Sequence, residues 1–377
     1  MKAKKEIYQI AVLPGDGIGP EIVEQAVRTL KAIETRFNHT FHLNYIDFGA
    51  ISIDHHGIPF TEEARSTCLA ADAVLLGAIG DSKYDNDLTI KIRPEQGLLQ
   101  LRKDLGLYSN IRPLKIYDSL KEISPLKIDR IEHVDIVIFR ELTGGIYFGE
   151  KSLNEDGTIA SDLCSYSEME IERVAINAFE AAQKRSKKIT LVDKANVLAT
   201  SRLWRKVVQR LSLNYPDVET VYMYVDNAAM QLIVNPSQFD VILTENLFGD
   251  ILSDEASVIS GSIGLLPSAS IGDKHALFEP IHGSYPEAKG KGIANPIGTI
   301  LSVAMMMDYF DLTEEAEVIR TAVEQVVHAK IVTPDLKEKD SFSTQLVGEI
   351  ISYLVEDSSL SIECSFDKMR ASLGTII

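Results

Sequence analysis

Short apolar runs alternate with amphipathic segments along most of the chain. Six apolar runs are predicted to be strands: "YQIAVL", "AVLLGAIG", "DIVIFREL", "KITLVDKA", "TVYMYVD" and "DVILTENL". Helical periodicity lies between many of them, as at residues 169–186 and 201–213. Strands that alternate with helices favour the α/β class, in which a largely parallel sheet is covered by helices on its faces.

One segment departs from this alternation. The stretch "GIYFGEKSLNEDGTIASDLCSYS" has an "EDG" turn between extended residues, which predicts a protruding hairpin within residues 148–167. The C-terminal third of the chain has few apolar runs of strand length. We therefore expect that third to pack back on the N-terminal part.

Three glycines follow the first predicted strand in "AVLPGDGIGPE": Gly15, Gly17 and Gly19. A dinucleotide-binding turn reads G-x-G-x-x-G, with an acidic residue at the end of a second strand about 20 residues on. Here the spacing is G-x-G-x-G. The stretch "KAIETRFNHT", about 20 residues on, is predicted to be a helix end and a turn, and no acidic residue there ends a clear second strand. A tight β–α turn is the favoured interpretation, and a phosphate-binding turn is the alternative.

Length and charge narrow the class of protein. The 377 residues suffice for two domains, and the net charge of −17 disfavours binding to nucleic acid or to an anionic membrane. No apolar segment approaches the length of a membrane span, and the basic N-terminus has too short an apolar run for a secretory signal. Cys68, Cys164 and Cys364 are too widely spaced to indicate a disulfide framework or a zinc cluster. We expect a cytoplasmic protein.

Arginines form the first group of candidate functional residues. Arg140 follows the apolar run "VDIVIF" and precedes a Gly-Gly turn, so it lies at the end of a predicted strand, where α/β sheets bind ligands. Arg102 and Arg112 precede it in the chain. Guanidinium groups bind carboxylates through paired hydrogen bonds, which points to a small polycarboxylate substrate. A solvated surface charge is the alternative for any one of them.

Aspartates form the second group. Asp226 lies where a strand gives way to a helix, and Asp250 and Asp254 share one helical face after the next strand. Neighbouring carboxylates repel unless a cation offsets their charge. An all-oxygen ligand set favours Mg²⁺ or Mn²⁺ over zinc. An exposed acidic face or a helix cap is the alternative.

Proton transfer has two candidates. Lys194 follows the apolar run "ITLV" and Asp193, and partial desolvation at a strand exit would suit a lysine to this role. Tyr147 follows the Gly-Gly turn after Arg140. A loop rich in glycine, "EPIHGSYPEAKGKGIANP", is of a kind that follows the backbone of a nucleotide. Each of these features also has a purely structural interpretation.

Together these motifs resemble the β-decarboxylating hydroxyacid dehydrogenases, the isocitrate/isopropylmalate dehydrogenase family. The resemblance runs nearly end to end and includes "LPGDGIGPE", "PEQGLLQLRK", "NIRP", "RELTGGIYFG", "DKANVL", "VDNAAMQL", "NLFGDILSDEAS" and "HGSYPEAKGKGIANP". It implies a two-domain α/β fold with a mixed sheet flanked by helices, not a Rossmann fold. Residues 1–107 and 261–377 would form the first domain, with most of the NAD site, and residues 108–260 the second.

The resemblance also implies roles for individual residues. The catalytic residues would be Tyr147, Lys194 and Asp226, and the metal ligands for Mg²⁺ or Mn²⁺ would be Asp226, Asp250 and Asp254. Substrate would be bound by Arg102, Arg112, Arg140, Asp226, Leu98, Leu99 and Val197. The cofactor NAD would be bound by Gly77, Ala78, Ile79, Gly80, Glu95, His282, Gly283, Ser284, Glu287 and Asn295. Members usually have aspartate at the position of Glu287, but glutamate retains the carboxylate that favours NAD over NADP.

The implied reaction is the NAD-dependent oxidative decarboxylation of a 3-substituted malate. The branched aliphatic Leu98, Leu99 and Val197 favour the isopropyl group of 3-isopropylmalate, a precursor of leucine, over the third carboxylate of isocitrate. Homoisocitrate and D-malate or tartrate are alternative substrates, and an inactive regulatory paralogue is the alternative class. The resemblance further implies a homodimer, in which Lys194 and Asp226 serve the partner's site and the hairpin is an arm that pairs with the partner.

Overall fold

The computed structural model describes residues 5–85, 90–337, 339–360 and 362. Its strands are β1 (Ile7–Gly15), β2 (Thr40–Tyr45), β3 (Ala73–Ala78), β4 (Ser109–Lys115), β5 (Asp135–Glu141), β6 (Lys151–Leu153), β7 (Ala160–Asp162), β8 (Lys188–Asp193), β9 (Glu219–Tyr224), β10 (Val241–Thr244), β11 (Pro267–Ile271) and β12 (Ala276–Pro280). Its α-helices are α1 (Gly19–Phe37), α2 (Ala50–His56), α3 (Glu62–Ala70), α4 (Ser82–Asp85), α5 (Pro94–Asp104), α6 (Ile128–Ile131), α7 (Glu168–Gln183), α8 (Ala199–Ser212), α9 (Val225–Val234), α10 (Asn246–Ser257), α11 (Ile297–Tyr309), α12 (Thr313–His328) and α13 (Thr344–Glu356).

A ten-stranded mixed sheet organises the molecule, with strand order β2-β1-β3-β12-β11-β4-β5-β10-β8-β9. Pairing is antiparallel where β11 meets β12 and β4, and where β4 meets β5, and parallel in the other ladders. The α/β class and the mixed sheet are therefore confirmed. The first five strands in this order come from the terminal segments of the chain, and the last five come from the middle. That order is compatible with the proposed domain boundaries, which stay a prediction.

Local sequence explains how the helices near the site begin and end. Helix α1 opens with Pro20 in its first turn and ends at Asn38, which adopts a left-handed conformation with φ 56°. Helix α7 begins with a capping box, in which Ser167 and Glu170 each bond the other's backbone N–H. Helix α10 is capped at its N-terminus by Glu245, whose side-chain carboxylate accepts a hydrogen bond from the N–H of Phe248.

All six predicted strands are confirmed, as β1, β3, β5, β8, β9 and β10. Four sheet strands were not predicted, namely β2, β4, β11 and β12. Strand β4 contains Arg112 and Pro113, and β11 has the sequence PSASI. Neither strand therefore has the continuous run of large apolar residues that is typical of a buried strand. Small side chains can fill the interior of a sheet without raising hydropathy, which explains why the pattern missed β11.

Residues 31–40 contain the end of helix α1 and a turn, as expected, but a second strand that was not predicted begins at Thr40. Strand β2 follows helix α1 almost at once, and Asp47 lies two residues beyond its end. Asp47 contacts His55 at 2.7 Å. The glycines after β1 do form a tight turn into helix α1, as expected.

The predicted hairpin is present as β6 and β7, which pair antiparallel from Lys151 opposite Asp162 to Leu153 opposite Ala160. Both strands are exposed throughout. At the opposite end of the chain, α13 packs against α1, so the C-terminal part does fold back on the N-terminal part. Among the described helices, none has the length and apolar character needed to cross a membrane.

Candidate active site

Three arginines lie close together at the junction between β4, β5 and helix α5. Arg140 is on β5 opposite Asn110 of β4, and Arg112 lies two residues further along β4 on the same face. Arg102 is in the last turn of α5, where its Nη2 donates to Glu279 Oε1 at 3.2 Å. All three side chains are buried, and Arg102 Nε has no hydrogen-bond partner among the described residues.

Arg140 is only 2% exposed and is held by two neighbours. Its Nε and Nη2 donate to Asn246 Oδ1 at 3.1 and 2.8 Å, and its Nη1 contacts Asp250 Oδ1. Asn246 Nδ2 in turn donates to the Gly144 carbonyl at 3.0 Å. A neutral amide therefore orients this guanidinium without neutralising its charge.

Arg112 is fixed by polar neighbours in the same way. Its Nε donates to Asn110 Oδ1 at 2.7 Å, and its Nη1 donates to Ser253 Oγ at 2.6 Å. Burial lowers the pKa of Arg112, although Asp250 partly offsets this. Burial and the nearby Arg112 lower the pKa of Arg140 to about 10. Both groups stay protonated at neutral pH, so the cluster offers guanidinium donors suited to a substrate with several carboxylates.

Asp250 and Asp254 lie one turn apart on α10 and face the arginines. Burial raises the pKa of Asp250, but Arg140 and Arg112 outweigh it, and the net pKa is lowered. Burial raises the pKa of Asp254, and Arg112 only partly offsets the effect. Arg112 Nη1 is 3.3 Å from Asp254 Oδ1 and its Nη2 is 3.7 Å from Asp250 Oδ1. In this chain the arginines thus serve as counter-charges for both carboxylates.

Tyr147 donates its hydroxyl to Asp250 Oδ2 at 2.8 Å. It ends a short 3-10 helix, Gly145–Tyr147, which begins at a glycine with φ 72°. A Cβ added to Gly145 would lie 2.3 Å from Tyr166 Oη, so both the backbone conformation and the contact require glycine. Burial and the bond to Asp250 raise the pKa of Tyr147 to about 12. Its phenol is therefore neutral at pH 7 and can donate a proton.

Lys194 and Asp226 form a second pair, in which Lys194 Nζ is 2.5 Å from Asp226 Oδ1. The hydrogen bond from Lys194 lowers the pKa of Asp226, whose side chain is 62% exposed. The three aspartates expected to bind a metal do not have oxygens within 4.8 Å of one another in this chain. One chain thus has two separate groups, Lys194 with Asp226 and the arginines with Tyr147, Asp250 and Asp254.

The glycine turn after β1 connects the two loops expected to bind NAD. Asp16 is buried, and its carboxylate accepts the N–H groups of Ala50, Ile51 and Gly80 at 2.9 to 3.1 Å. Burial raises its pKa despite these bonds. A Cβ at Gly17 would lie 2.0 Å from the Ser284 carbonyl oxygen. Sequence reasoning missed Asp16, although it lies within the quoted glycine stretch.

Several of the residues expected to bind NAD meet at this turn. A Cβ on Gly80 would lie 3.3 Å from Glu95 Oε1 and 3.4 Å from Ser284 Oγ, so these three residues face the same space. Gly77, Ala78 and Ile79 precede Gly80 at the end of β3. Helix α1 also supports the loop, because the Glu21 carboxylate accepts the N–H groups of Gly290 and Gly292.

Other residues expected to bind NAD differ in their surroundings. His282 bonds the carbonyl of the exposed Gly283, and its Nε2 is buried with no partner among the described residues. Burial lowers the pKa of His282. Glu287 is exposed on a 3-10 turn, Pro286–Ala288. Asn295 is buried and already bonds Asp335 and the N–H of Ile297, so the chain itself uses its side chain.

The apolar residues expected to form the substrate pocket lie on different elements. Leu98 is half-buried against the cluster that contains Phe60 and Leu101, and Leu99 is half-buried beside it on α5. Val197 is 63% exposed, and its N–H donates to the Lys194 carbonyl. Leu98 and Leu99 therefore lie on the helix of Arg102, whereas Val197 accompanies the Lys194–Asp226 pair.

Sequence reasoning also missed Asn246 and Ser253, which orient the arginines. Asn246 directly follows β10 and Glu245, at the first position of α10. A polar residue at the carboxyl end of a buried strand was the signal, the same one that singled out Arg140.

Comparisons with known proteins identify the family to which the chain belongs. The model of the isocitrate/isopropylmalate dehydrogenase family matches residues 9–351. The 3-isopropylmalate dehydrogenase of Bacteroides fragilis is 52% identical over 350 residues, 92% of this chain and 99% of its own. That of Bacillus subtilis is 48% identical over 361 residues, 94% of this chain and 99% of its own.

Solved structures show the same fold. An isocitrate dehydrogenase from Methylococcus capsulatus has a TM-score of 0.84 and 32% identity, over 93% of this chain and all of the other. A β-decarboxylating dehydrogenase from Thermococcus kodakarensis has a TM-score of 0.76 and 39% identity, over 93% of this chain and 96% of the other. The match in both sequence and structure extends over nearly the whole chain. This protein therefore belongs to the isocitrate/isopropylmalate dehydrogenase family.

Proposed function

We propose that this protein catalyses the NAD-dependent oxidative decarboxylation of (2R,3S)-3-isopropylmalate to 4-methyl-2-oxopentanoate and CO2 in leucine biosynthesis. The observation that carries the proposal is the convergence of buried Arg112 and Arg140 on Asp250, with the neutral phenol of Tyr147 bonded to the same carboxylate. Relatives about half identical over nearly the whole chain are named for this activity. We also propose that the protein is located in the cytoplasm.

The arginines bind and orient the substrate in this proposal. Arg112 and Arg140 already hold carboxylates of the protein, and Arg102 has a buried Nε without a partner among the described residues. A malate-type substrate would bring its own carboxylates to these donors. Fixed guanidinium groups of this kind position a substrate at little reorganisation cost.

The residues present suit a hard divalent cation. Asp250 and Asp254 offer carboxylate oxygens on one face of α10, and the third carboxylate, Asp226, would come from a partner subunit. Such donors fit Mg²⁺ or Mn²⁺, which when bound would act as a Lewis acid on the substrate oxygens. Reversible inactivation by EDTA, with recovery on adding Mg²⁺, tests this assignment. Full activity of metal-free protein would contradict it.

Lys194 and Tyr147 are the side chains that would move protons in this reaction. The C2 carbon of the substrate would give its hydride to NAD⁺, and the proton of the C2 hydroxyl would pass to Lys194, through Asp226 or water. The bond from C3 to its carboxylate then breaks and releases CO2, which leaves an enolate. Tyr147, which holds its proton because of its raised pKa, donates that proton to the carbon.

NAD would bind between the end of β3 and the loop that contains His282 and Ser284. The common space shared by Gly80, Glu95 and Ser284 supports this location for the nicotinamide end. Glu287 is exposed, as a ligand of the adenosine ribose must be, and its carboxylate would repel the additional phosphate of NADP.

We propose a homodimer with two shared active sites. The separation of the Lys194–Asp226 pair from the Tyr147–Asp250 group supports sharing, because one chain does not bring the three aspartates together. Helices α9 and α10 and the turn after α10 expose a set of large apolar side chains suited to an interface: Met230, Ile233, Val234, Ile251 and Val258. The exposed hairpin would extend this interface with Leu153 and Ile159.

The direct test is NADH formation by the purified protein with NAD⁺ and Mg²⁺ on a panel of 3-isopropylmalate, D-malate, tartrate, isocitrate and homoisocitrate. We expect the highest kcat/KM for 3-isopropylmalate. Small 3-alkylmalates should be slower substrates, because two or three methyl-sized contacts are worth only about 1–3 kcal/mol. A preference for isocitrate or D-malate would refute the substrate but not the reaction class.

A further inference from the structure

A cluster of two histidines and one aspartate lies apart from the catalytic residues. Asp47 follows β2, and His55 and His56 are the last two residues of α2. Asp47 Oδ2 is 2.7 Å from His55 Nδ1 and 3.6 Å from His56 Nε2. One ligand atom from each residue lies within 4.8 Å of the others, the only such group of three or more in the described part of the chain.

These spacings suit a transition-metal ion. A tetrahedral zinc site with bonds of about 2.0–2.2 Å keeps neighbouring ligand atoms about 3.3 Å apart. The distances from Asp47 Oδ2 to His55 Nδ1 and to His56 Nε2, 2.7 and 3.6 Å, lie on either side of this value, so small side-chain rotations would suffice to bind an ion. Imidazole nitrogen with one carboxylate favours Zn²⁺, Ni²⁺ or Cu²⁺, whereas Mg²⁺ prefers all-oxygen ligands. The cluster is therefore chemically distinct from the aspartates of α10.

The setting leaves room for water as a further ligand. The side chains of Asp47, His55 and His56 are 41%, 55% and 48% exposed. No lysine or arginine of the described chain forms an ion pair with Asp47. Within the described part of the chain, the two histidines are the basic side chains that lie near its carboxylate.

The cluster is also connected to the turn near the proposed NAD site. Asp47 precedes α2 and His55 lies in its last turn. The first N–H groups of this helix, at Ala50 and Ile51, donate to the buried carboxylate of Asp16. An ion bound by both residues would fix the loop before α2 to the end of that helix. It would thereby stabilise the segment that supports Asp16.

We propose that Asp47, His55 and His56 form a binding site for one borderline divalent cation of the Zn²⁺ class, which stabilises helix α2. The site is structural, and the hydride-transfer reaction does not require it. Its occupancy is independent of the proposed substrate.

Isothermal titration of the full-length protein with Zn²⁺, in saturating Mg²⁺ that fills all-oxygen sites, tests the proposal. All proteins in this experiment, including the unsubstituted reference, carry Cys164→Ser and Cys364→Ser, so that these two thiols do not compete for Zn²⁺. We expect one equivalent of Zn²⁺ to bind, and His55→Ala and Asp47→Asn each to lose it. His328→Ala removes an exposed histidine at the end of α12 and should retain the full equivalent.

Two further readouts separate a built site from adventitious binding. Co²⁺ should give the intense visible absorption of a four-coordinate ion in the protein with intact histidines and lose it in His55→Ala. Zn²⁺ should raise the melting temperature of the intact protein and of His328→Ala, but not that of His55→Ala, because a ligand stabilises only the state that binds it. Equal Zn²⁺ stoichiometry in the intact protein and in His55→Ala would overturn the proposal, and so would an unchanged melting temperature.

Discussion

Replacing Asn246 should weaken catalysis without changing any group that contacts the substrate directly. Its Oδ1 accepts two hydrogen bonds from Arg140, at 3.1 and 2.8 Å, and its Nδ2 donates one to the Gly144 carbonyl at 3.0 Å. The side chain is fully buried, so water does not readily replace these bonds. Asn246→Ala removes all three, which leaves Arg140 with its contact to Asp250 and loosens the turn that carries Tyr147.

The magnitude follows from the type of bond. A hydrogen bond to a charged group contributes about 1.5–3 kcal/mol, and the two bonds to one oxygen are not additive. A loss of about 2 kcal/mol of transition-state stabilisation corresponds to a decrease of about 30-fold in kcat/KM. Asn246→Asp keeps the acceptors but gives Arg140 a second carboxylate neighbour beside Asp250, and it also places an oxygen opposite the Gly144 carbonyl. We expect that variant to raise KM more than Asn246→Ala does.

Initial rates with 3-isopropylmalate, NAD⁺ and Mg²⁺ give kcat and KM separately. Thermal melts monitor folding, and Asn214→Ala, at an exposed asparagine after α8, serves as a surface control. An Asn246→Asp variant that folds and keeps the KM of the unmodified protein would refute the argument that a neutral partner matters. If Asn246→Ala and Asn246→Asp lose the same factor in kcat/KM and the same number of degrees in melting temperature, Asn246 has a purely structural role.

Three further predictions concern the proposed mechanism. Tyr147→Phe should lower kcat by about 10²- to 10⁴-fold, the usual contribution of a general acid, with little change in KM, in steady-state assays. Mixing inactive Lys194→Met with inactive Arg140→Ala should restore part of the activity after subunit exchange, and verified heterodimers that stay inactive would exclude a shared site. The kcat/KM should be higher with NAD⁺ than with NADP⁺, and Glu287→Lys with Ala288→Tyr should decrease the ratio of the two values. A preference of the unmodified protein for NADP⁺ would show that Glu287 does not bind the ribose.

Much of the local structure could be predicted from the chain alone. Apolar runs specified the six strands, and the β–α turn at Gly15–Gly19 was recognisable from its glycines and Pro20. The hairpin was predicted from its turn residues. Such features depend on side chains within a few residues of one another, so the pattern along the chain contains the necessary information. Strand β11 escaped because its buried residues are small and polar.

The sequence by itself determined which chemical groups the protein has and on which local elements they lie: arginines after apolar strands, aspartates on one helical face, and a tyrosine after a Gly-Gly turn. Only the tertiary structure decided their partners. Arg140 meets Asn246 across 106 residues, and Tyr147 meets Asp250 across 103. These contacts depend on the order and direction of strands in the sheet, which places β5 beside β10 and β4. Local periodicity determines each strand but not its neighbour, so the paired arginine and carboxylate groups appear only once the sheet is assembled.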